Sequence, residues 1–139
     1  MMLVVIDTNV WLSAFYFHSQ NASKILAAWE SNDIELALSN ELFAEIQKAF
    51  FYDKFKKSLV ITDLQLNNFV EFIKLRSKNF NIQGIDAKVP KDKNDDKVLA
   101  TLIASNADYL ITGDKGLLEL SPKYSIISPS SFVDKYLSM

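Results

Sequence analysis

Cysteine is absent from the sequence, which excludes disulfide bridges, thiolate metal sites and a cysteine nucleophile together. Its absence suits a reducing compartment, and the chain is expected to be cytoplasmic. Histidine occurs once, at His18, so no pair of imidazoles is available to bind zinc. Only three glycines and three prolines interrupt 139 residues, and most of the chain is therefore expected in regular secondary structure. No apolar run approaches the roughly 18 residues of a membrane span. The opening Met1-Met2-Leu3-Val4-Val5-Ile6-Asp7 has neither the basic leader nor the small-residue cleavage site of a signal peptide. Strong net charge is also missing. A balance of −2 argues against generic adhesion to nucleic acid and leaves room for a local basic track around an acidic pocket.

What is present is a chain 49% hydrophobic, which fits one globular domain over residues 1–139 and excludes a disordered tail. Leu3 to Ile6 is a short continuous apolar run, as in a strand buried on both faces, and it stops at Asp7-Thr8-Asn9. A helical segment follows, then a second whose apolar face is Ile25, Leu26 and Trp29. Glu35 to Leu38 reads as the next strand. Ser39 then caps a helix with its stripe at Leu42, Phe43, Ile46, Ala49 and Phe50. Thr62-Asp63-Leu64-Gln65 has the form of a capping box and opens a helix through Phe69, Val70 and Ile73 to about Arg76. Asn81 to Asn94 is irregular, with a short strand expected near Ile82 to Ile85. A helix over Asp95 to Asn106 turns Val98, Leu99, Leu102 and Ile103 inward. Strands follow at Tyr109 to Thr112 and Ser125 to Ile127. Ser128-Pro129, a cap followed by proline at the first helical position, starts a closing helix to Leu137. Strands alternating with helices predict an α/β fold of three layers, its mainly parallel sheet covered on both faces.

Apolar strands that end in an acid are the main chemical clue, because open α/β sheets bind ligands outside the carboxyl ends of their strands. Asp7 and Asp114 both follow buried strands. Glu45 lies on the helix after the second strand, among core positions, and Asp95 and Asp96 lie in the first turn of a later helix. Gathering carboxylates is costly, since like charges raise one another's pKa, unless a cation neutralises them. Hard oxygen ligands without cysteine or paired histidine favour Mg²⁺ or Mn²⁺. Such ions can activate water and stabilise the leaving oxygen in phosphodiester cleavage with no nucleophilic side chain. Taken singly, each acid has a structural explanation. Asp7 could be only a helix cap, Asp95 and Asp96 could only complement a helix dipole, and Glu45 could pair with Lys48 on the surface. Taken together, with two of them at the ends of parallel strands, they point to a metal pocket.

The segments Val4-Val5-Ile6-Asp7-Thr8-Asn9-Val10, Leu38-Ser39 through Glu45, Asp95-Asp96-Lys97-Val98-Leu99-Ala100 and Tyr109-Leu110-Ile111-Thr112-Gly113-Asp114 resemble the PIN-domain family in order and spacing. The resemblance runs nearly end to end and is greatest to the small, VapC-like toxin components of toxin–antitoxin pairs. It implies a PIN-like fold and an endoribonuclease dependent on Mg²⁺ or Mn²⁺. The implied metal pocket is Asp7, Glu45, an acid at 95 or 96, and Asp114, with Asn9 and Thr112 at positions that help to orient it. The implied partners are an RNA substrate and a cognate antitoxin protein, with no membrane; whether two copies pair as a homodimer is left open. In two respects the chain departs from the family. Gly116 stands where many relatives carry another acid, which weakens a second metal site. Adjacent Asp95 and Asp96 leave the alignment ambiguous by one residue, and a helix turns about 100° per residue, so the two side chains cannot point the same way.

Other features are less specific. His18 follows Phe15-Tyr16-Phe17 without an orienting partner and reads as a loop or surface residue. Phe50, Phe51, Tyr52 and Phe55 could stack on bases, but a helical aromatic stripe is more often core, with Phe51 and Tyr52 the two expected outside. Lys54, Lys56 and Lys57 form one basic stretch, and Lys88, Lys91, Lys93 and Lys97 a second. Scattered lysines are usually a solvated face; Lys91 and Lys93, just ahead of the paired aspartates, are the ones expected to meet RNA phosphates. Two alternatives remain: a PIN-like module that binds RNA or protein without cutting, and a Mg²⁺-dependent phosphate-receiver domain. The receiver needs adjacent acids after its first strand, where this chain has Asp7 alone.

Overall fold

A computed structural model describes residues 1–52 and 61–137. Lys54, Phe55, Lys56 and Lys57 lie outside the described residues. The elements run β1 (Met2–Ile6), α1 (Thr8–Phe15), α2 (Gln20–Glu30), β2 (Ile34–Leu38), α3 (Asn40–Phe50), α4 (Asp63–Leu75), β3 (Lys78–Asn79), a 3₁₀ turn (Lys93–Asp95), α5 (Asp96–Ser105), β4 (Tyr109–Ile111), α6 (Lys115–Leu118), β5 (Ile126–Ile127), α7 (Pro129–Phe132) and a π-helical turn (Val133–Leu137). All pairings in the five-stranded sheet are parallel, in the order β3-β2-β1-β4-β5. Helices cover it in the three-layer α/β/α arrangement that the alternation predicts. Among the described residues, no helix is long and apolar enough to cross a membrane.

Strand β1 is central, and its apolar run is explained by burial on both faces: Val4, Val5 and Ile6 are wholly inaccessible. Its register pairs Ile6 with Ile111 of β4, and Asp7 N–H extends the ladder to the Ile111 carbonyl at 3.0 Å. The chain builds outward from β1 through β2 to β3, then returns to the other side of β1 with β4. The order therefore reverses between β1 and β4, the crevice where α/β sheets hold ligands.

The caps read from sequence form as expected. Ser39 accepts from Leu42 N–H at 3.2 Å, Thr62 and Gln65 make a reciprocal capping box, and Ser128 accepts from Ser131 N–H ahead of Pro129. Caps of this kind are each worth about 1 kcal/mol. An aromatic cluster then locks the helices together. Trp11 of α1 meets Trp29 of α2 edge-on at 5.0 Å between centroids, and Phe15 of α1 stacks on Phe69 of α4 at 4.7 Å. Phe50 of α3 packs on both Phe15 and Phe69. Contacts of this type add about 0.5–1.5 kcal/mol each beyond burial, and they fix how α3 lies against α1.

One strand is not where the sequence suggests. Ile82 to Ile85 is a turn rather than a strand: Gly84 takes φ +81° and Ile85 N–H bonds the Ile82 carbonyl at 3.1 Å. The edge strand is instead Lys78–Asn79, directly after α4, continued by Phe80 N–H to the Leu38 carbonyl at 2.7 Å. The start of α5 also differs, since Asp95 belongs to the 3₁₀ turn and Asp96 opens the α-helix. The closing helix is α-helical only to Phe132, and its remainder to Leu137 is the π-helical turn.

Candidate metal centre

Asp7 is the innermost acid, 4% exposed at the β1 end of the crevice. Its Oδ1 accepts from Thr8 N–H at 2.8 Å, so it caps α1 as a purely structural reading would have it. Its Oδ2 accepts from the Thr112 hydroxyl at 2.7 Å. Burial raises its pKa above the ordinary value; the Thr112 bond opposes this, while the nearby Glu45 and Asp114 charges add to it. Thr112 is itself wholly buried and accepts from Asp114 N–H at 3.0 Å. One hydroxyl thus links the ends of β1 and β4. Asp114 caps α6 through Oδ2, which accepts from Leu117 N–H at 3.0 Å.

The two adjacent aspartates separate cleanly. Asp96 points back along the chain, its Oδ1 accepting from Val89 N–H at 2.7 Å. It ties down the loop that precedes it. Asp95 faces the cluster. Its Oδ2 is buried with no hydrogen-bond partner, and its carboxyl is pushed up to about 7, first by burial and then by the charges of Asp7, Asp114, Asp92 and Glu45. A buried carboxylate oxygen without a donor is unusual, because such groups are nearly always paired.

Glu45 joins the cluster from α3. One of its oxygens accepts from the Thr8 hydroxyl and the other lies 3.4 Å from Lys97 Nζ. Its ionic partner is therefore Lys97, 52 positions along the chain (97 against 45), rather than the local Lys48. A buried relay holds that geometry. Thr101 donates its only hydroxyl proton to the Lys97 carbonyl at 2.7 Å, so Ser39 must be the donor in the 2.8 Å contact between the two hydroxyls. Leu42 N–H in turn donates to Ser39. The start of α3 is thereby bonded through two side chains to the first turn of α5.

Among the described residues, no group of three or more acids is placed so as to hold a metal ion. Asp7, Glu45 and Asp114 are each turned to a protein donor instead. The donor set nevertheless suits a hard divalent cation. It is all carboxylate oxygen, each oxygen accepting one bond retains a further lone pair, and Asp95 supplies a buried oxygen with nothing else to bind.

Asn9 is exposed on the first turn of α1 and makes no hydrogen bond to the acids. It opens instead on a groove of about 340 Å³ between α1 and α3, lined by Thr8, Asn9, Leu12, Glu45, Lys48, Ala49 and Tyr52. Tyr52 stands at its outer end, 58% exposed, while Phe51 is half-buried against the core. Another cavity of about 460 Å³ lies between α1, α2 and α4, where His18 reaches it from the turn after α1, but no acid of the cluster borders it. Chemistry rather than volume selects the groove beside Glu45. Lys91 pairs with Glu119 at 3.2 Å on the surface, and Lys93 is exposed in the turn that carries Asp95.

Sequence reasoning missed Thr8, Ser39, Thr101 and the cluster-facing role of Lys97. The first three are small hydroxyl residues with partners far along the chain; Thr8, inside Asp-Thr-Asn, and Ser39, expected only as a helix cap, stood within recognised motifs that did not signal those partners.

A family model described as PIN domain matches residues 3–116. No curated protein matches the chain. Among solved structures, it is similar to a chain in the crystal structure of VapBC2 from Rickettsia felis bound to a DNA fragment from their promoter. The TM-score is 0.60 at 16% identity, covering 91% of this chain and 98% of that one. At that identity the likeness speaks for the fold.

Proposed function

Because this chain belongs to the PIN-domain family, we propose that it is a metal-dependent endoribonuclease, acting as the toxin of a toxin–antitoxin pair. The single observation that carries this reading is Asp95 Oδ2, a buried and unpartnered carboxylate oxygen within the field of Asp7, Asp114 and Glu45. Asp7, Asp95 and Asp114 are the residues that would hold Mg²⁺ or Mn²⁺, with Glu45 beside them. When bound, the ion supplies an activated water and positive charge at the scissile phosphate. Thr112 holds Asp7 in a fixed rotamer, and its bond from Asp114 N–H sets the turn after β4. Asp96 keeps the loop at Val89 in place and thereby the 3₁₀ turn that aims Asp95.

An RNA strand needs alignment on both sides of the cleaved bond. The groove between α1 and α3 offers one side, with an apolar floor at Leu12 and Ala49 and the Tyr52 ring for a base. Lys91 and Lys93 offer phosphate contacts on the other. The Lys91–Glu119 pair is exposed and therefore weak, so it can be exchanged for a phosphate. The antitoxin partner is inferred from the family and from the VapBC2 assembly to which the fold is similar. The domain is taken to be single and to work in the cytoplasm.

The test is cleavage of structured RNA with Mn²⁺ by the wild type, Asp7→Asn and Asp114→Asn. Both substitutions are nearly isosteric and keep an oxygen for the Thr8 and Leu117 N–H groups, and since Asp7→Asn gives up the acceptor of the Thr112 bond, its fold is checked by a melt beside the activity. Activity is expected in the wild type alone. Full activity in both variants would end the nuclease reading.

A further inference from the structure

Glu45 pairs with Lys97, and Lys48, one helical turn further along α3, is left without an ion pair among the described residues. Glu45, Lys48 and Ala49 fall at i, i+3 and i+4, so they share one stripe, and it faces the groove between α1 and α3. Thr8 and Leu12 face the same groove from α1, with Asn9 beside them. The groove thus begins where the Thr8 hydroxyl meets Glu45 and leads away over an apolar floor of Leu12 and Ala49. Lys48 lies about 4.5 Å beyond Glu45 along the helix axis, at the rise of 1.5 Å per residue. Asn9 is exposed, and its carboxamide has no hydrogen-bond partner among the described residues. An apolar slot with a few convergent polar groups is the usual form of a small-ligand site. Here each part matches one part of a nucleotide. The floor suits the face of a base, the carboxamide offers a donor and an acceptor to its edge, and the ammonium suits a phosphate as a point charge.

We propose that this groove holds one unstacked nucleotide of single-stranded RNA, its base on Leu12 and Ala49, its edge on Asn9 and its phosphate on Lys48. The choice of RNA rests on the nuclease reading, which the proposal deepens by naming the form of the substrate and the residue that reads it. A base can lie on the floor only after leaving its stack, and the bases of an RNA helix are not offered that way. The groove therefore selects unpaired strands, loops or ends over duplex. A carboxamide pairs bidentately with the N6 and N7 edge of adenine, so adenine is the base that gains most. Asn9 is then a specificity-determining residue that touches the base rather than the acids.

The test is binding of fluorescein-labelled oligo-A, oligo-U and an RNA duplex to the purified chain in EDTA, followed by fluorescence anisotropy. EDTA stops metal-dependent cleavage, so binding is read apart from activity. The wild type is expected to bind oligo-A about tenfold more tightly than oligo-U, the scale of one bidentate base contact, and the duplex least. Asn9→Leu, of the same size without polar atoms, is expected to bind both oligomers alike. Lys48→Gln is expected to keep the preference while its slope of log K against log salt falls by about 0.7. Ala49→Met fills the floor and is expected to weaken oligo-A most. Asn9 and Lys48 are exposed, so their replacement leaves the core untouched, and melts confirm the fold of all three variants. Equal affinity of the wild type for all three RNAs, a preference that survives Asn9→Leu, or an unchanged salt slope in Lys48→Gln would overturn the subsite and leave the nuclease reading standing. Binding with these preferences but without Mn²⁺-dependent cleavage would uphold the subsite and overturn the nuclease reading.

Discussion

The Thr112 hydroxyl donates to Asp7 Oδ2 at 2.7 Å, joining two strand ends that are 105 positions apart in the chain. Thr112→Val keeps the shape and removes the donor. It leaves a buried carboxylate oxygen unpaired, which costs about 1–3 kcal/mol. It also removes the interaction that holds the Asp7 pKa down. Expected together are a lower denaturant midpoint and an onset of Mn²⁺ binding displaced to higher pH. Unchanged values for both would show that the bond contributes nothing.

The metal-free protein is expected to lose stability as pH rises through the acid-to-neutral range. Asp95 titrates near 7 in the folded state against an ordinary 3.8. Between these values the folded chain holds a proton that the unfolded chain has released, so stability falls with increasing pH. Its contribution is fully present below about 4 and gone above about 7. Thermal melts in EDTA across this window should show the slope in the wild type and a flatter profile in Asp95→Asn. Adding Mn²⁺ near pH 7.5 should restore the wild-type melting temperature by mass action, about 2.7 kcal/mol at a hundredfold excess over Kd, and restore Asp95→Asn much less.

Asp95 and Asp96 should behave as opposites. Asp96→Ala removes a charged acceptor from Val89 N–H and is expected to cost about 1.5–3 kcal/mol while Mn²⁺ still binds. Asp95→Ala removes no hydrogen bond at its buried oxygen and relieves repulsion, so it should leave apo stability equal or higher and abolish Mn²⁺ binding. Calorimetric titration of the two variants, read beside their melts, separates the roles.

Lys91→Ala/Lys93→Ala is expected to raise KM for RNA more than it lowers kcat, since flanking phosphate contacts are made equally in ground and transition states. Each lost contact should reduce the slope of log K against log salt by about 0.7. An unchanged salt slope would move the RNA track to the groove at Lys48 and Tyr52.

Much of the centre is legible in the sequence because its acids sit where local signals are strong. Asp7 and Asp114 end continuous apolar runs, and Ser39 announces the helix that carries Glu45. What the sequence hides is non-local. Lys78–Asn79 is an exposed strand without an apolar side chain, held by its backbone ladder and the Lys78–Glu35 ion pair, whereas Ile82 and Ile85 offer an apolar signal around a glycine turn. The choice between Asp95 and Asp96 turns on where a 3₁₀ turn gives way to an α-helix, a boundary that neither residue type dictates. Lys48 is the obvious neighbour for Glu45 along a helix, and only the packing of α3 beside α5 reveals Lys97 in its place.

The strand order carries a consequence for how the molecule is made. Strand β1 lies between β2 and β4, and β4 is separated from it by the whole span that builds α1 to α5. During synthesis, at roughly 5–20 residues per second, the Asp7 edge therefore waits for seconds before the segment bearing Thr112 and Asp114 leaves the ribosome. A nascent chain in that interval has one acid of the crevice without its counterpart, so the crevice stays incomplete until β4 has paired. Pairing at such sequence separation is slow to form, which lengthens the interval further.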